Sequence, residues 1–264
     1  MTSKANKLEA FARLLDVLDM LRSFCPWDKK QTNESLRTNT IEEVYELSEA
    51  LLNKEDKEIK KELGDVLLHV LFYSKIGEEQ GAFDIADVCN TLCNKLIFRH
   101  PHIYGTSQVD TAEAVVSQWE RVKQVEKGGN KTLLSGVPQS LPSLVKAYRI
   151  SEKAAAVGFD WEKRDDVWDK VAEERKEFEA AVSEGNPDAM EEEFGDWLFA
   201  LVNAARLYGI NPDSALERTN RKFTNRIGYI EAQAKAQGKK LGDLTLDEME
   251  ALWQDAKKLE HHSN

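Results

Sequence analysis

Apolar residues recur at the helical period along almost the whole chain, and this pattern limits the fold more than any other feature. Four stripes show it: Leu8, Phe11, Leu15 and Leu18; Ile41, Val44, Leu47 and Leu51; Leu63, Val66, Leu67, Val70 and Leu71; and Phe194, Leu198, Leu201 and Ala205. Spacings of three and four place each stripe on one helix face. Only 14 Gly and 6 Pro occur in 264 residues, which argues against a β-sandwich or barrel with its many tight turns. We therefore predict an all-α fold.

The least helical part of the sequence lies near its middle. Between Gly128 and Pro142 there are three glycines and two prolines within 15 residues. Glycine adds backbone freedom and proline prevents a helix from continuing, so this stretch is the natural linker. We predict one helical domain over residues 1–127, a linker over 128–143 and a second helical domain over 144–264.

The two halves resemble each other. Glu43 and Glu62 are 19 positions apart, and so are Glu174 and Glu193. Later pairs repeat in the same order: Lys95 and Arg99 match Lys222 and Arg226, and Trp119 and Lys123 match Trp253 and Lys257. This repetition indicates a duplicated helical unit.

Each half carries four acids at helical spacing. Glu43 and Glu46 are three apart, as are Glu62 and Asp65, so each pair projects from one helix face. The connection at 53–57 is short and polar, which predicts antiparallel neighbouring helices and brings the four carboxylates face to face. The same arrangement is predicted in the second half for Glu174, Glu177, Glu193 and Asp196.

Four carboxylates in one site require a counter-charge, because like charges raise one another's pKa. Mg²⁺ fits, with Mn²⁺ as a substitute, since both prefer oxygen ligands and Mg²⁺ often shares its coordination with substrate phosphates. The alternative is a solvated acidic helix face, which the repetition in two halves disfavours. A di-iron bundle would need Glu-x-x-His motifs, and the chain has none.

Basic and aromatic residues in the second half are candidates for binding an anionic ligand. Lys222 and Arg226 stand four apart on one predicted helix, and both side chains suit phosphate. Trp253 beside Lys257 fits a base-stacking platform next to a phosphate contact, although a core tryptophan is an equal alternative. Lys170 lies one turn before Glu174 and is either a phosphate contact or a surface charge.

Charge and composition exclude several other classes. The net charge of −11 disfavours a general nucleic-acid binder. The sequence contains no run of 18 apolar residues, so no membrane span is predicted. Three cysteines cannot form a disulfide framework, so a cytoplasmic protein is expected. Cys89 and Cys93 lie among apolar neighbours and are expected to be buried thiols rather than zinc ligands. His69 is expected to serve packing, because Ala200 takes its place in the second half.

The motifs resemble those of a known family. Both halves contain Glu-Glu-x-x-Glu, a spacer and Glu-x-x-Asp, at 42–46 with 62–65 and at 173–177 with 193–196. The segments Cys-Pro-Trp-Asp at 25–28, Arg-His-Pro-His at 99–102 and Val-Gly-Phe-Asp-Trp at 157–161 also match. Over nearly its whole length the chain resembles the full-length, two-domain bacterial MazG proteins of the all-α NTP pyrophosphohydrolase superfamily.

The resemblance implies Mg²⁺-dependent hydrolysis of nucleoside triphosphates to monophosphate and pyrophosphate. It also implies broad base specificity, a house-cleaning or nucleotide-pool role, and a homodimer. The main activity would lie in the second half, with the metal held by Glu174, Glu177, Glu193 and Asp196. Nucleotide contacts would come from Lys170, Glu173, Glu192, Lys222, Arg226, Trp253 and Lys257.

The acid and base groups also indicate a mechanism. Glu174 or Glu177 would orient the attacking water as a general base, while Lys222 and Arg226 would stabilise the departing pyrophosphate. The rival hypothesis is a helical scaffold that senses a nucleotide, or binds a protein, without hydrolysis. Product analysis separates the two hypotheses.

Overall fold

The computed structural model describes residues 2–105 and 132–262, with a few isolated positions between these ranges. The described residues form helices and turns and contain no strand, which confirms the all-α prediction. The chain divides into two compact units, Met1–Thr111 and Ala112–Asn264. The predicted linker covers 128–143. Its described residues 132–142 are not helical, whereas Ser143 already begins a helix. Each unit contains one of the two acid-bearing segments.

The described part of the first unit contains five α-helices: α1 (Lys4–Phe24), α2 (Asn33–Asn53), α3 (Asp56–Glu79), α4 (Ile85–Arg99) and α5 (Pro101–Tyr104). Helix α2 begins with a capping box, in which Thr32 and Ser35 bond each other's backbone N–H. It ends at Lys54, whose left-handed φ of 58° turns the chain into α3. The α2–α3 hairpin is the largest helix–helix contact of this unit.

The core of the first unit lies between α1, α2 and α3. Its buried residues are Leu18, Leu36, Leu71, Phe72 and Ile76. Arg22 on α1 joins the far end of α3 by two hydrogen bonds of 2.8 Å to Glu79, and it also donates to the carbonyl of Gln31 at 3.0 Å. These contacts fix α1 across the hairpin.

Between residues 132 and 262 the second unit contains five α-helices: α6 (Ser143–Ala155), α7 (Val167–Glu184), α8 (Pro187–Leu207), α9 (Pro212–Ala236) and α10 (Leu246–His262). Gly185 ends α7 with a φ of +70°, at the same repeat position as Lys54 of the first unit. Asn186 then caps α8, with proline at the first helical position. The α7–α8 hairpin therefore repeats the α2–α3 hairpin.

The second unit has its clearest core cluster where α9 meets α10. Ile230, Ala234 and Leu244 are buried there, and partly buried neighbours such as Met249 and Leu252 pack against them. None of the described helices is both long and apolar enough to cross a bilayer.

Several apolar faces remain open in the single chain. Val44, Leu51 and Leu63 on the first hairpin are 50–54% exposed, and Phe194 and Leu198 on the second are 43% and 41% exposed. These residues belong to the helical stripes of the sequence, but no described part of the chain covers them.

The prediction of buried thiols on α4 is wrong. Cys89 and Cys93 are exposed, and their apolar neighbours Leu92 and Leu96 are 47% and 45% exposed. The sequence pattern identified an apolar helix face correctly, but none of the described residues covers this face. His69 is buried as expected and lies 2.9 Å from the Thr40 hydroxyl.

Candidate metal and nucleotide site

The first acid cluster lies on the facing sides of α2 and α3. Glu43, Glu62 and Asp65 each offer a carboxylate oxygen, and these oxygens lie within 4.8 Å of one another. Glu46 is outside this triad. Its carboxylate lies 3.9 Å from Lys61 Nζ, and Lys61 also pairs with Glu62 and Asp65. The hairpin therefore brings the four acids of the first half to one region.

The second acid cluster lies on α7 and α8. Its three converging oxygens belong to Glu174, Glu177 and Glu193, again within 4.8 Å of one another. Asp196, the fourth predicted ligand, is exposed and lines a cavity together with Glu174. The two triads thus differ in one member. The first includes Asp65, whereas the second includes Glu177 in place of the corresponding Asp196.

Desolvation, followed by the charges of neighbouring acids, raises the pKa of two of these carboxyl groups. Desolvation raises the pKa of Glu43, and the charges of Asp65, Glu46 and Glu62 raise it further. Desolvation likewise raises the pKa of Glu177, with the charge of Glu174 as the next contribution. The neighbouring negative charges thus add to desolvation in both clusters, as expected where carboxylates lie close together.

Among the described residues, one lysine pairs with the acids of each cluster, and the two lysines do not occupy corresponding positions in the repeat. Lys61 Nζ lies 2.7 Å from Glu62 and 3.9 Å from Asp65. Lys170 Nζ lies 2.7 Å from Glu174 and 3.1 Å from Glu173. The hydrogen bond to its glutamate raises the pKa of each lysine. The residue of the second unit that corresponds to Lys61 is Glu192, a predicted nucleotide contact. Comparison of the two halves therefore did not indicate a role for Lys61.

The first cluster contains a buried oxygen without a partner. Glu62 is 4% exposed, and its Oε2 accepts no hydrogen bond although Oε1 accepts one from Lys61. A buried polar atom without a partner is destabilising, and a divalent cation bound by the neighbouring carboxylates would satisfy it. The oxygen-only donor set also fits Mg²⁺ or Mn²⁺.

The second cluster opens into a cavity of about 500 Å³. Lys170, Glu173, Glu174 and Asp196 line its polar side. A second cavity of about 540 Å³ adjoins it and has a mainly apolar lining. Both cavities are lined by Phe159, Trp161, Phe199 and Asn203. The sequence motif at 157–161 contained the first two residues, but nothing in the sequence indicated that they form cavity walls.

The predicted basic and aromatic contacts form a separate group on α9 and α10. Arg226 makes a bidentate ion pair with Glu260, with its shortest contact at 2.6 Å, and its guanidinium lies 5.1 Å from the centre of the Trp253 ring. Trp253 also packs edge-on against Phe223. Lys222 and Glu192 are exposed, and Lys257 is half-buried. In this structure the guanidinium of Arg226 is therefore paired with the carboxylate of Glu260.

Comparison with known proteins agrees with the duplicated architecture. The family model of the MazG nucleotide pyrophosphohydrolase domain matches residues 31–104 and 164–229. Each matched segment contains one acid-bearing hairpin.

Full-length relatives extend the similarity to most of the chain. A nucleoside triphosphate pyrophosphohydrolase/pyrophosphatase MazG of Thermotoga maritima is 43% identical over 94% of this chain and 95% of its own length. A nucleoside triphosphate pyrophosphohydrolase of Escherichia coli is 38% identical over 94% and 97%. An uncharacterized protein of Bacillus subtilis, YabN, is 48% identical over 90% of this chain and 49% of its own length. The chain therefore belongs to the MazG nucleotide pyrophosphohydrolase family.

Proposed function

We propose that the chain hydrolyses nucleoside triphosphates to nucleoside monophosphate and pyrophosphate with a divalent cation, and that the α7–α8 hairpin holds the main active site. One observation carries this assignment: three carboxylate oxygens converge within 4.8 Å beside a 500 Å³ cavity that Glu174 helps to line. The names of the full-length relatives support the same reaction.

Mg²⁺, or Mn²⁺ in its place, would be held by Glu174, Glu177, Glu193 and Asp196, and in the first unit by Glu43, Glu46, Glu62 and Asp65. When bound, such a cation neutralises phosphate charge and lowers the pKa of coordinated water. Glu174 or Glu177 would orient the attacking water and accept its proton as a general base. Lys170 lines the cavity wall, and it would contact phosphate there.

Arg226 and Lys222 would bind the departing pyrophosphate, and this requires an exchange of partners. Arg226 now binds Glu260, so an incoming phosphate must replace that carboxylate. Phosphate offers the guanidinium the same bidentate geometry with more charge. Trp253 would then serve as a stacking platform for the base, beside the arginine that has changed its partner.

The proposal includes a homodimer. Both hairpins expose large apolar side chains that no described part of the chain covers, and an isologous contact between two copies would bury the same face on each. Sedimentation should show a dimer at micromolar concentration, whereas a monomer that persists at high concentration would contradict this part. Three free cysteines favour a reducing compartment, so we place this house-cleaning activity in the cytoplasm.

The test compares paired variants of the two hairpins. With Mg²⁺ and ATP, Glu193→Ala combined with Asp196→Ala should abolish pyrophosphate release. The matched pair Glu62→Ala with Asp65→Ala should retain most of it. Unchanged turnover in the first double variant would refute the assignment to the second half.

The same assay addresses specificity and the rival function. A panel of ribo- and deoxynucleoside triphosphates should be hydrolysed with rates that differ little between bases. The rival non-hydrolytic scaffold predicts nucleotide binding without formation of any monophosphate.

A further inference from the structure

Three basic side chains on α9 and α10 differ in how they are paired. Lys222 and Lys257 make no ion pair among the described residues, although the chain carries a net charge of −11. Arg226, one turn after Lys222, is paired with Glu260. Basic groups without acidic partners attract anions. The pairing therefore singles out one of the three, and it is the one that would hold pyrophosphate.

The helix register places the pairing acid among the predicted nucleotide contacts. Trp253, Lys257 and Glu260 follow one another on α10 at spacings of four and three, so they share one helix face. Arg226 on α9 contacts both Trp253 and Glu260, which shows that this face meets α9. A carboxylate thus belongs to the same surface as the groups that would bind phosphate.

The ion pair uses the donors with which arginine binds a phosphate. Nε of Arg226 lies 3.2 and 3.1 Å from the two carboxylate oxygens of Glu260, and Nη2 lies 2.6 Å from one of them. Arginine binds carboxylate and phosphate through the same pair of parallel N–H groups. Carboxylate and phosphate therefore compete for one edge of the guanidinium.

The surroundings of the pair make it significant but releasable. The side chains of Arg226 and Glu260 are 15% and 33% exposed, so solvent screens their attraction less than that of a surface pair. Glu260 lies in the last turn of α10, where helix ends fray and the dipole disfavours a carboxylate. The carboxylate can therefore leave Arg226 while the α9–α10 core around Ile230 stays packed.

We propose that Glu260 is an internal competitor for the pyrophosphate group. It holds Arg226 in the free protein, yields it to the phosphates of the substrate, and takes it back when pyrophosphate leaves. Because the carboxylate is displaced each time, it weakens the binding of substrate and of pyrophosphate by the same factor. Weaker binding of the product speeds its release, a step that limits the turnover of many enzymes. The inference rests on the proposed function, because it concerns the exchange of partners at Arg226.

The first test measures binding of methylenediphosphonate, a pyrophosphate analogue that cannot be hydrolysed, to the full chain with Mg²⁺ by calorimetry. Glu260→Gln keeps the size of the side chain and removes its charge, so it should bind the analogue about tenfold more tightly than wild type. Glu260→Ala should show the same gain. Glu250→Gln, at an exposed position of α10 where the carboxylate accepts from Gln254, is the matched control and should bind as wild type does.

Kinetics with ATP and Mg²⁺ separate competition from a structural role. Glu260→Gln should lower KM for ATP about tenfold without raising kcat, because the change acts equally on bound substrate and transition state. Adenosine monophosphate carries no pyrophosphate group, so its inhibition constant should not change. In the Arg226→Ala background, Glu260→Gln should have no effect, since the group for which it competes is gone.

Several results would overturn the competition. One is unchanged or weaker binding of the analogue in Glu260→Gln, and weaker binding would mean that Glu260 orients Arg226 for phosphate. Another is an equal gain for adenosine monophosphate, or a gain that persists in the Arg226→Ala background, because the general loss of a negative charge would then explain it. Circular dichroism of each variant establishes that it is folded.

The two proposals fail separately. Tighter binding of the analogue in Glu260→Gln, without hydrolysis of ATP by wild type, would remove the proposed reaction and leave the competition in place. Hydrolysis of ATP by wild type, with unchanged binding of the analogue in Glu260→Gln, would do the reverse. Equal binding of the analogue by wild type and Arg226→Ala would remove Arg226 as a phosphate contact, and the competition with it.

Discussion

Replacing Glu62 by glutamine should have opposite effects on stability and on cation binding in the first unit. Glu62 is buried, its Oε2 has no partner, and it shares the cluster with Glu43 and Asp65. Glutamine keeps the shape and removes the charge. Without a cation the variant should therefore be more stable than wild type, and it should respond less to added Mg²⁺.

The magnitude follows from the contacts of Glu62. Repulsion by Glu43 and Asp65 opposes the attraction of Lys61, whose side chain is 58% exposed, so these contributions largely cancel. What remains is the Oε2 position. A carboxylate oxygen can only accept there and has no donor, whereas the NH2 of glutamine can donate to a neighbouring carboxylate of Glu43 or Asp65. An unpaired buried polar group costs about 1–3 kcal/mol. We expect Glu62→Gln to stabilise the first unit by about 1–2 kcal/mol in chelator. Loss of one charged ligand should weaken cation binding there by at least about tenfold.

The assay is hydrogen exchange of the full chain, resolved to individual helices, with and without Mg²⁺. In wild type, Mg²⁺ should slow exchange in both hairpins, because a cation stabilises the state that binds it. Glu62→Gln should remove this protection from α2 and α3 only. Glu193→Gln, its repeat counterpart, should remove it from α7 and α8 only.

Two results would refute the reasoning. One is a Glu62→Gln protein that is less stable than wild type in chelator, which would mean that the Lys61 ion pair outweighs the unpaired oxygen. The other is Mg²⁺-dependent protection of α2 and α3 that persists in the variant, which would mean that Glu62 is not a ligand.

Two further predictions concern stability. A hydrogen bond from Lys239, with others at the start of α10, lowers the pKa of Glu248 from 4.5 to about 2. The stabilisation is therefore present above pH 4.5 and lost as pH falls towards 2. Glu248→Gln should lower the melting temperature at pH 7, and equal lowering at pH 2 would contradict this cause. Gly77→Ala would place a methyl group 2.8 Å from the Phe83 ring and should destabilise by about 1–2 kcal/mol. Gly64→Ala, with nothing within 4 Å, should instead stabilise by about 0.5–1 kcal/mol, and denaturant unfolding that ranks the two alike would refute the packing argument.

The sequence predicts the two hairpins and their acid clusters because both depend on local rules. Spacings of three residues fix which side chains share a helix face, and a short connection forces the two helices together. The left-handed turn at Lys54 and Gly185 shows that the duplicated geometry extends to the backbone.

Other features of the site depend on contacts between distant residues, and no local pattern reports them. Arg226 and Glu260 are 34 positions apart, so the pairing that occupies the predicted phosphate ligand could not be read from helix spacing. Lys61 pairs with the acids of the first cluster because its side chain turns towards Glu62 and Asp65. The cavity beside Asn203 is formed where the 157–161 segment lies against α8. In the sequence this segment was recognised only as a family motif, which did not indicate that its residues line a cavity.

The most direct test of the central claim is phosphorus NMR of ATP incubated with the full chain and Mg²⁺. The expected products are AMP and pyrophosphate in equal amounts, formed only while the divalent cation is present. They should be absent when both Glu193 and Asp196 are replaced by alanine. Formation of ADP and orthophosphate, or ATP that stays intact in the presence of wild-type protein and Mg²⁺, would contradict the claim.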